Sequence, residues 1–156
     1  MTWQPGRDKI AELLAAAELQ QVTADHSIAQ LLVDDAGRHL DTAAAALSSS
    51  DLSGAYQLAY DALRKSAASL LAAQGLRATS RGGHIAIQEA ARAQFGSTLK
   101  AFRSFGRIRR ARNNFEYPST ITPGPSPDDV RDAITTATQA RDAAITILEQ
   151  NLLTPW

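Results

Sequence analysis

The 156-residue chain contains no cysteine. That absence removes disulfides, thiolate chemistry and every cysteine-based zinc site, and it suits a reducing compartment. Net charge is missing too: 16 Lys and Arg balance 16 Asp and Glu, so the total gives no sign of a polyanionic partner. No apolar run approaches a membrane span, and the opening MTWQPGRDKIAELL lacks the basic-then-apolar order of a signal peptide. A soluble, cytoplasmic protein with no membrane association is expected. The three histidines, His26, His39 and His84, stand apart, and no spacing joins them into a metal site. Neither a metal nor another cofactor is expected. There is no internal repeat and no convincing strand.

What remains is helix. Pro5 suits a first turn, and Ile10, Leu13, Leu14 and Ala17 recur at helical spacing, which predicts a helix over roughly 5–22. Capping residues between Thr23 and Ser27 precede a second helix whose apolar face reads Ile28, Leu32, Ala36, Leu40, Ala43 and Leu47. After Ser48-Ser49-Ser50-Asp51, a third runs from about Leu52 to Gln74, with Gly75 as a left-handed stop. The polar connector Gly75–Gly83 leads to a fourth helix from His84, broken at Gly96-Ser97. The fifth carries Leu99, Phe102, Phe105 and Ile108 inward and ends before Pro118, which disfavours helix at Tyr117. The segment 118–127, PSTITPGPSP, reads as an extended loop. Ser126, Pro127, Asp128 and Asp129 then start a last helix over about 127–151. The expectation is an all-α antiparallel bundle, residues 25–156, of about five helices, plus an N-terminal helical extension over residues 1–24.

Charge is neutral in total but not in distribution. Between Arg77 and Arg112, eight arginines and Lys100 face a single acid, Glu89. Five arginines gather near the end of the fifth helix: Arg103, Arg107 and Arg110 share one face at i, i+4 and i+7, and Arg109, Arg112 and Glu116 form a neighbouring stripe. Guanidinium groups stay charged and present planar forked donors, so this pattern points to an anionic ligand such as RNA, DNA or nucleotide. A solvated basic face is the plainer alternative. Tyr56 and Tyr60, one turn apart beside Leu63, read as core or dimer surface. Arg77 and Arg81 flank a loop and would extend the basic surface.

The order of these pieces, with YQLAYDALRKSAASLLAAQGLRATSRGGH ending one helix and opening the next and RRARNNFEYP closing the fifth, resembles the HEPN superfamily over roughly residues 27–150. The closest likeness is to an actinobacterial-type branch whose motif reads RN..EYP. The resemblance implies a small helical bundle that commonly dimerises, often a metal-independent endoribonuclease of toxin or defence systems. The superfamily motif is an arginine, usually followed by Asn, Asp or His, with a histidine five to seven positions after the arginine. Arg112-Asn113 matches its start, but Tyr117 stands where the shortest spacing expects histidine, and no histidine follows His84. By this likeness Arg112 contacts the phosphate, Asn113 orients the sugar or holds two motifs in register, Tyr117 is substitute acid or stacking residue, and Glu116 positions Arg112 or serves as base. Arg103, Arg107, Arg109 and Arg110 are the further RNA-binding candidates. His84 either caps and packs its helix or approaches Arg112 across the bundle and supplies the missing imidazole.

Two classes of function follow. One is an HEPN-like homodimer, joined through the Ala-rich second and third helices, that binds or cuts RNA. The other is a non-catalytic dimerisation or protein-interaction domain whose partner is antitoxin-like or repair-associated, a reading the absent histidine favours. A helix-turn-helix DNA binder fits less well, because no tight turn from a supporting helix leads into the basic one.

Overall fold

The computed structural model describes residues 3–156. Met1 and Thr2, the first residues of the expected N-terminal extension, lie outside the described residues. Seven helices and a two-stranded ribbon succeed one another: α1 (Arg7–Ala15), β1 (Leu19–Gln21), α2 (His26–Ser48), α3 (Leu52–Ala73), β2 (Leu76–Ala78), α4 (Gly83–Phe95), α5 (Lys100–Arg103), α6 (Phe105–Glu116) and α7 (Pro127–Glu149). The fold is all-α in its load-carrying parts, as the spacing of apolar residues predicts.

Local chemistry sets the ends of the long helices. The Asp25 carboxylate accepts from the amides of Ser27 (2.9 Å) and Ile28 (3.1 Å), and Asp51 accepts from Gly54 at 3.0 Å, so α2 and α3 each start on a carboxylate cap. Ser126 and Asp129 make a reciprocal capping box at α7: the Asp129 amide donates to Ser126 Oγ at 3.1 Å, and the Ser126 amide donates to Asp129 Oδ2 at 2.9 Å. The short α2–α3 turn passes through Ser50 at φ 64° and returns the chain antiparallel.

α3 is the axis. It packs against α2, α4, α6 and α7, and Tyr56, Ala59, Tyr60, Leu63, Ala67 and Leu70 are all buried. α2 meets it through small residues, Ala29, Val33, Ala36 and Ala43, which lets the two helices approach closely. Of the face read from the sequence, Ala36 and Ala43 are buried and Leu40 and Leu47 pack against the core, while its first residues differ. Ile28 is half-exposed and, with Leu32, Leu71, Leu76 and Ile87, lines an apolar hollow of about 490 Å³ beside the ribbon. The hollow is closed on its other side by Ala68, Leu71 and Ala72 of α3, so Ile28 and Leu32 stand at the open edge of the α2–α3 contact.

The other departure is at the front of the chain. A continuous helix to about residue 22 and no strands were expected, but α1 ends at Ala15 and Ala17 turns left-handed at φ 57°. Leu19, Gln20 and Gln21 then pair antiparallel with Ala78, Arg77 and Leu76. The Thr79 hydroxyl, donating to the Ala17 carbonyl at 2.6 Å, holds that turn. Strands of three residues carry too little alternation to be read locally, and their partners lie on the far side of the α2–α3 hairpin. Ile10, Leu13 and Leu19 join the same buried cluster as the long helices. The expected fifth helix is also divided, at Ser104, into α5 and α6, and Phe102 and Phe105 on either side of the break are both buried, as expected. α7 stops at Glu149 rather than near 151, with Asn151 left-handed at φ 51°.

Gly75 is fixed by the join between α3 and the ribbon. Its φ is +72°, and a Cβ there would sit 2.5 Å from the Val22 carbonyl oxygen, whose own amide donates back to Gly75 O at 2.8 Å. Gly75→Ala should therefore lower unfolding stability by about 2 kcal/mol or more, measured by urea denaturation. A loss under half of that would show that the turn relaxes freely.

Candidate functional site

The polar stripe on α3 is where the site begins. Gln57, Asp61 and Arg64 recur at i, i+4 and i+7 on α3 and so share one face. Gln57 Nε2 donates to Asp61 Oδ2 at 3.1 Å, and Arg64 lies 3.5 Å from the other Asp61 oxygen. α6 crosses this face and lays Arg112 on it. Arg112 Nε donates to Gln57 Oε1 at 2.5 Å, and its Nη1 donates to Asn113 Oδ1 at 2.9 Å and approaches Glu116 Oε2 at 3.2 Å. The guanidinium carbon stands 5.3 Å from the centre of the Tyr60 ring, a cation over an aromatic face.

α4 closes the third side. His84 Nδ1 is 3.0 Å from the Tyr60 hydroxyl, and Gln88, one turn on, accepts from Arg109 Nε at 2.6 Å. Three helices therefore bring Arg64, His84, Arg109 and Arg112 to one place, with Asp61 and Glu116 as its carboxylates. Burial pushes the Tyr60 hydroxyl up from its usual value near 10, an effect that the charges of Arg64, Arg112 and Arg109 oppose. Partial burial pushes His84 down from 6.5, and the charges of Arg64, Arg112 and Arg109 reinforce that shift while Asp61 opposes it. The hydroxyl stays protonated and the imidazole stays neutral at physiological pH.

The sequence-derived candidates divide. Arg112, Asn113, Glu116 and Arg109 belong to this cluster. His84 does come to Arg112 across the bundle, through Tyr60. Tyr117 does not join them: it follows the last turn of α6 and is 80% exposed. Arg107 turns the other way and meets Asp132 of α7 at 3.1 Å, while Arg103 and Arg110 are exposed. Tyr56 is core, its ring edge-on to Phe115 with centroids 4.9 Å apart, and burial raises its hydroxyl to about 12. Sequence reasoning missed Gln57, Asp61, Arg64 and Gln88. The signal available for them was the polar stripe on α3, and the four-residue step from His84 to Gln88.

Among the described residues, no group of three or more His, Asp or Glu is arranged to hold a metal ion, and no helix is long and apolar enough to cross a membrane. Residues 29–147, from α2 through nearly all of α7, match the HEPN domain. The match spans most of the chain, which therefore belongs to the HEPN domain family, and Arg112-Asn113 lies within it. Neither the curated proteins nor the solved structures gave a match.

His84 links the site to pH. The folded imidazole holds a proton less tightly than the unfolded one, whose value is 6.5, so the unfolded chain takes up its proton first as pH falls. The contribution of the neutral imidazole to stability is thus complete above 6.5 and declines as pH drops through the lowered folded value. Asp25 and Asp35, held low by hydrogen bonds, lose their contributions only in the more acidic range around and below their ordinary 3.8. Thermal unfolding followed between about pH 8 and pH 5 should show a decline in the wild type that is flattened in His84→Gln. Parallel curves for the two proteins would rule His84 out as the source.

Proposed function

We propose that this HEPN domain acts on RNA, with Arg112 as the phosphate-contacting residue and Arg109 beside it. The further proposal is a metal-independent endoribonuclease of toxin or defence type that has tyrosine in place of the motif histidine. The observation that carries the reading is the fixed setting of Arg112. Its guanidinium is held by Gln57, Asn113 and Glu116 over the Tyr60 ring, in a place where Arg64 and Arg109 add positive charge. Three guanidinium groups against two carboxylates favour an anion. In such a reaction the ribose 2′-oxygen attacks the adjacent phosphorus, the bond to the 5′-oxygen breaks, and the 2′-proton and the leaving oxygen need a base and an acid. Exposed Tyr117 is reachable as an acid from solvent, and Glu116 is the nearby carboxylate.

A second reading, a non-catalytic dimerisation or protein-interaction domain with an antitoxin-like or repair-associated partner, draws support from a different observation. Much of the hydrogen-bonding capacity of Arg112 is already used within the protein, and Tyr117 stands away from it. For self-association as a homodimer in the cytoplasm, α2 offers exposed Ile28 and Leu31, whereas α3 is enclosed.

Purified protein incubated with a mixed pool of labelled RNA, with and without chelator, separates the two. On the RNA-directed reading, cutting survives the chelator, disappears in Arg112→Ala and falls about 100-fold in Tyr117→Phe if the tyrosine delivers the proton. Binding of uncut RNA should weaken steeply with salt, because several arginines displace counterions. An uncut pool with salt-insensitive or absent RNA binding, from a protein that unfolds normally, would transfer the assignment to the interaction domain.

A further inference from the structure

We propose that Arg64 of α3, His84 of α4, and Arg109 and Arg112 of α6 together bind a single phosphate group, and that His84 serves there as an uncharged N–H donor rather than as a base. The inference deepens the RNA-directed reading and rests on it for the source of the phosphate, an RNA backbone. Recognition of the phosphate itself stands on the geometry below.

The donor inventory comes first. Arg109 uses only Nε within the protein, on Gln88, and Arg112 uses Nε and Nη1, on Gln57, Asn113 and Glu116. Both terminal nitrogens of Arg109 and Nη2 of Arg112 therefore make no hydrogen bond among the described residues. Arg64 is the sharper case: among the described residues its Nε is buried with no partner, and its one ionic contact, to Asp61, is a loose 3.5 Å. Nε is enclosed, so Arg64 would meet an anion through its terminal nitrogens, of which Nη2 is engaged only by that long contact to Asp61 while the side chain stays partly exposed. These donors come from three helices. Such convergence suits a tetrahedral anion with several oxygens better than a carboxylate, whose two oxygens lie in one plane.

The role of His84 follows from Tyr60. The Tyr60 hydroxyl is fully buried, stays protonated, and among the described residues has no hydrogen-bond partner except His84 Nδ1 at 3.0 Å. Its proton must therefore point at Nδ1, which accepts it. A neutral imidazole that accepts at Nδ1 carries its own proton on Nε2. Nε2 makes no hydrogen bond among the described residues, so the ring offers an N–H donor outward. The groups facing the ring are Tyr60, Asp61, Arg64, Arg109 and Arg112; partial burial first, and then the three arginines, favour its neutral form, which Asp61 opposes. His84 also stands in the first turn of the 13-residue α4, where the positive end of the helix adds to the field. A fourth full charge is thus avoided without losing a donor; a bound phosphate raises the proton affinity of the ring, while the Tyr60 hydroxyl donating to Nδ1 holds it in the uncharged form that gives Nε2–H to the anion.

The test is a titration of full-length protein with inorganic phosphate, followed by ¹⁵N and ¹H resonances of the imidazoles, with His84→Gln assigning His84 against His26 and His39. Nε2-protonated His84 should be seen without phosphate, and phosphate should shift its resonances and raise its titration midpoint. Arg64→Gln, which lies outside the Arg-Asn motif, should weaken phosphate binding about tenfold with a normal unfolding transition. Tyr60→Phe should release the tautomer, giving a mixed Nδ1/Nε2 signal. An Nδ1-protonated ring, a His84 signal indifferent to phosphate, or full affinity in both Arg64→Gln and Arg64→Ala would each overturn the proposal. Fluorescence anisotropy with a labelled RNA keeps the two readings apart. Phosphate bound as described, with no RNA bound, supports the pocket and sinks the RNA-directed reading. RNA bound through Arg112 with no dependence on Arg64 or His84 does the reverse.

Discussion

The structure depends on the enclosure of α3. A helix packed on by four others can leave few polar groups unpaired, because a buried donor or acceptor without a partner costs more than an ordinary hydrogen bond gains, and Arg64 Nε is the exception among the described residues. Its polar side chains are therefore handled one by one. Ser66 and Ser69 donate back to the carbonyls of Ala62 and Ser66, at 2.8 and 2.7 Å. Gln74, just past the end of the helix, exchanges two amide hydrogen bonds with Gln94 of α4, at 2.7 and 3.0 Å, inside the core. Gln57, Asp61 and Arg64 solve the same problem by linking to one another and to α6, and that solution is what creates the site. Arg112 is thereby held as much by the packing of α3 as by its own helix.

The same constraint explains the electrostatics. Arginines gathered without partners would repel one another and destabilise the fold. Here each is tied to a neutral amide or a single carboxylate: Arg109 to Gln88, Arg112 to Gln57 and Glu116, Arg64 loosely to Asp61. Glutamines fix the position of a guanidinium without cancelling its charge. The arrangement stays positive while its geometry is set, as preorganised anion recognition requires.

The bundle was legible because its signals are local. Helical spacing, Asp25, Asp51 and Ser126 as caps, Gly75 as a stop and Pro118 as a break all act within a few residues of where they stand. The Arg112-Asn113 end of α6 was legible for the same reason. The ribbon was not, since Leu19 and Ala78 acquire their meaning only from each other. On α2, the face through Ala36, Leu40, Ala43 and Leu47 was legible, but at its start Ala29 and Val33 are buried in place of Ile28, which stands at the edge of a hollow. In the site, Tyr117 was favoured by its place in the motif, yet the α6 end leaves it in solvent. His84, Gln88 and Arg64 come from other helices, and only packing reveals that they share a centre with Arg112.

The ribbon also bears on the order in which the chain assembles. β1 and β2 are separated by the whole α2–α3 hairpin, and pairing them directly from an open chain would mean closing a long loop for a few hydrogen bonds. The hairpin removes that obstacle. Once α2 and α3 lie antiparallel, the Asp25 amide reaches the Ala72 carbonyl at 3.1 Å and the Val22 amide reaches Gly75 at 2.8 Å, so the two strand segments already start side by side. Pairing then proceeds like a zip from a closed end. The helices that look most local in sequence thus act as the clasp for the contact that looks most distant, and α1 is carried onto α4 by the strand that follows it.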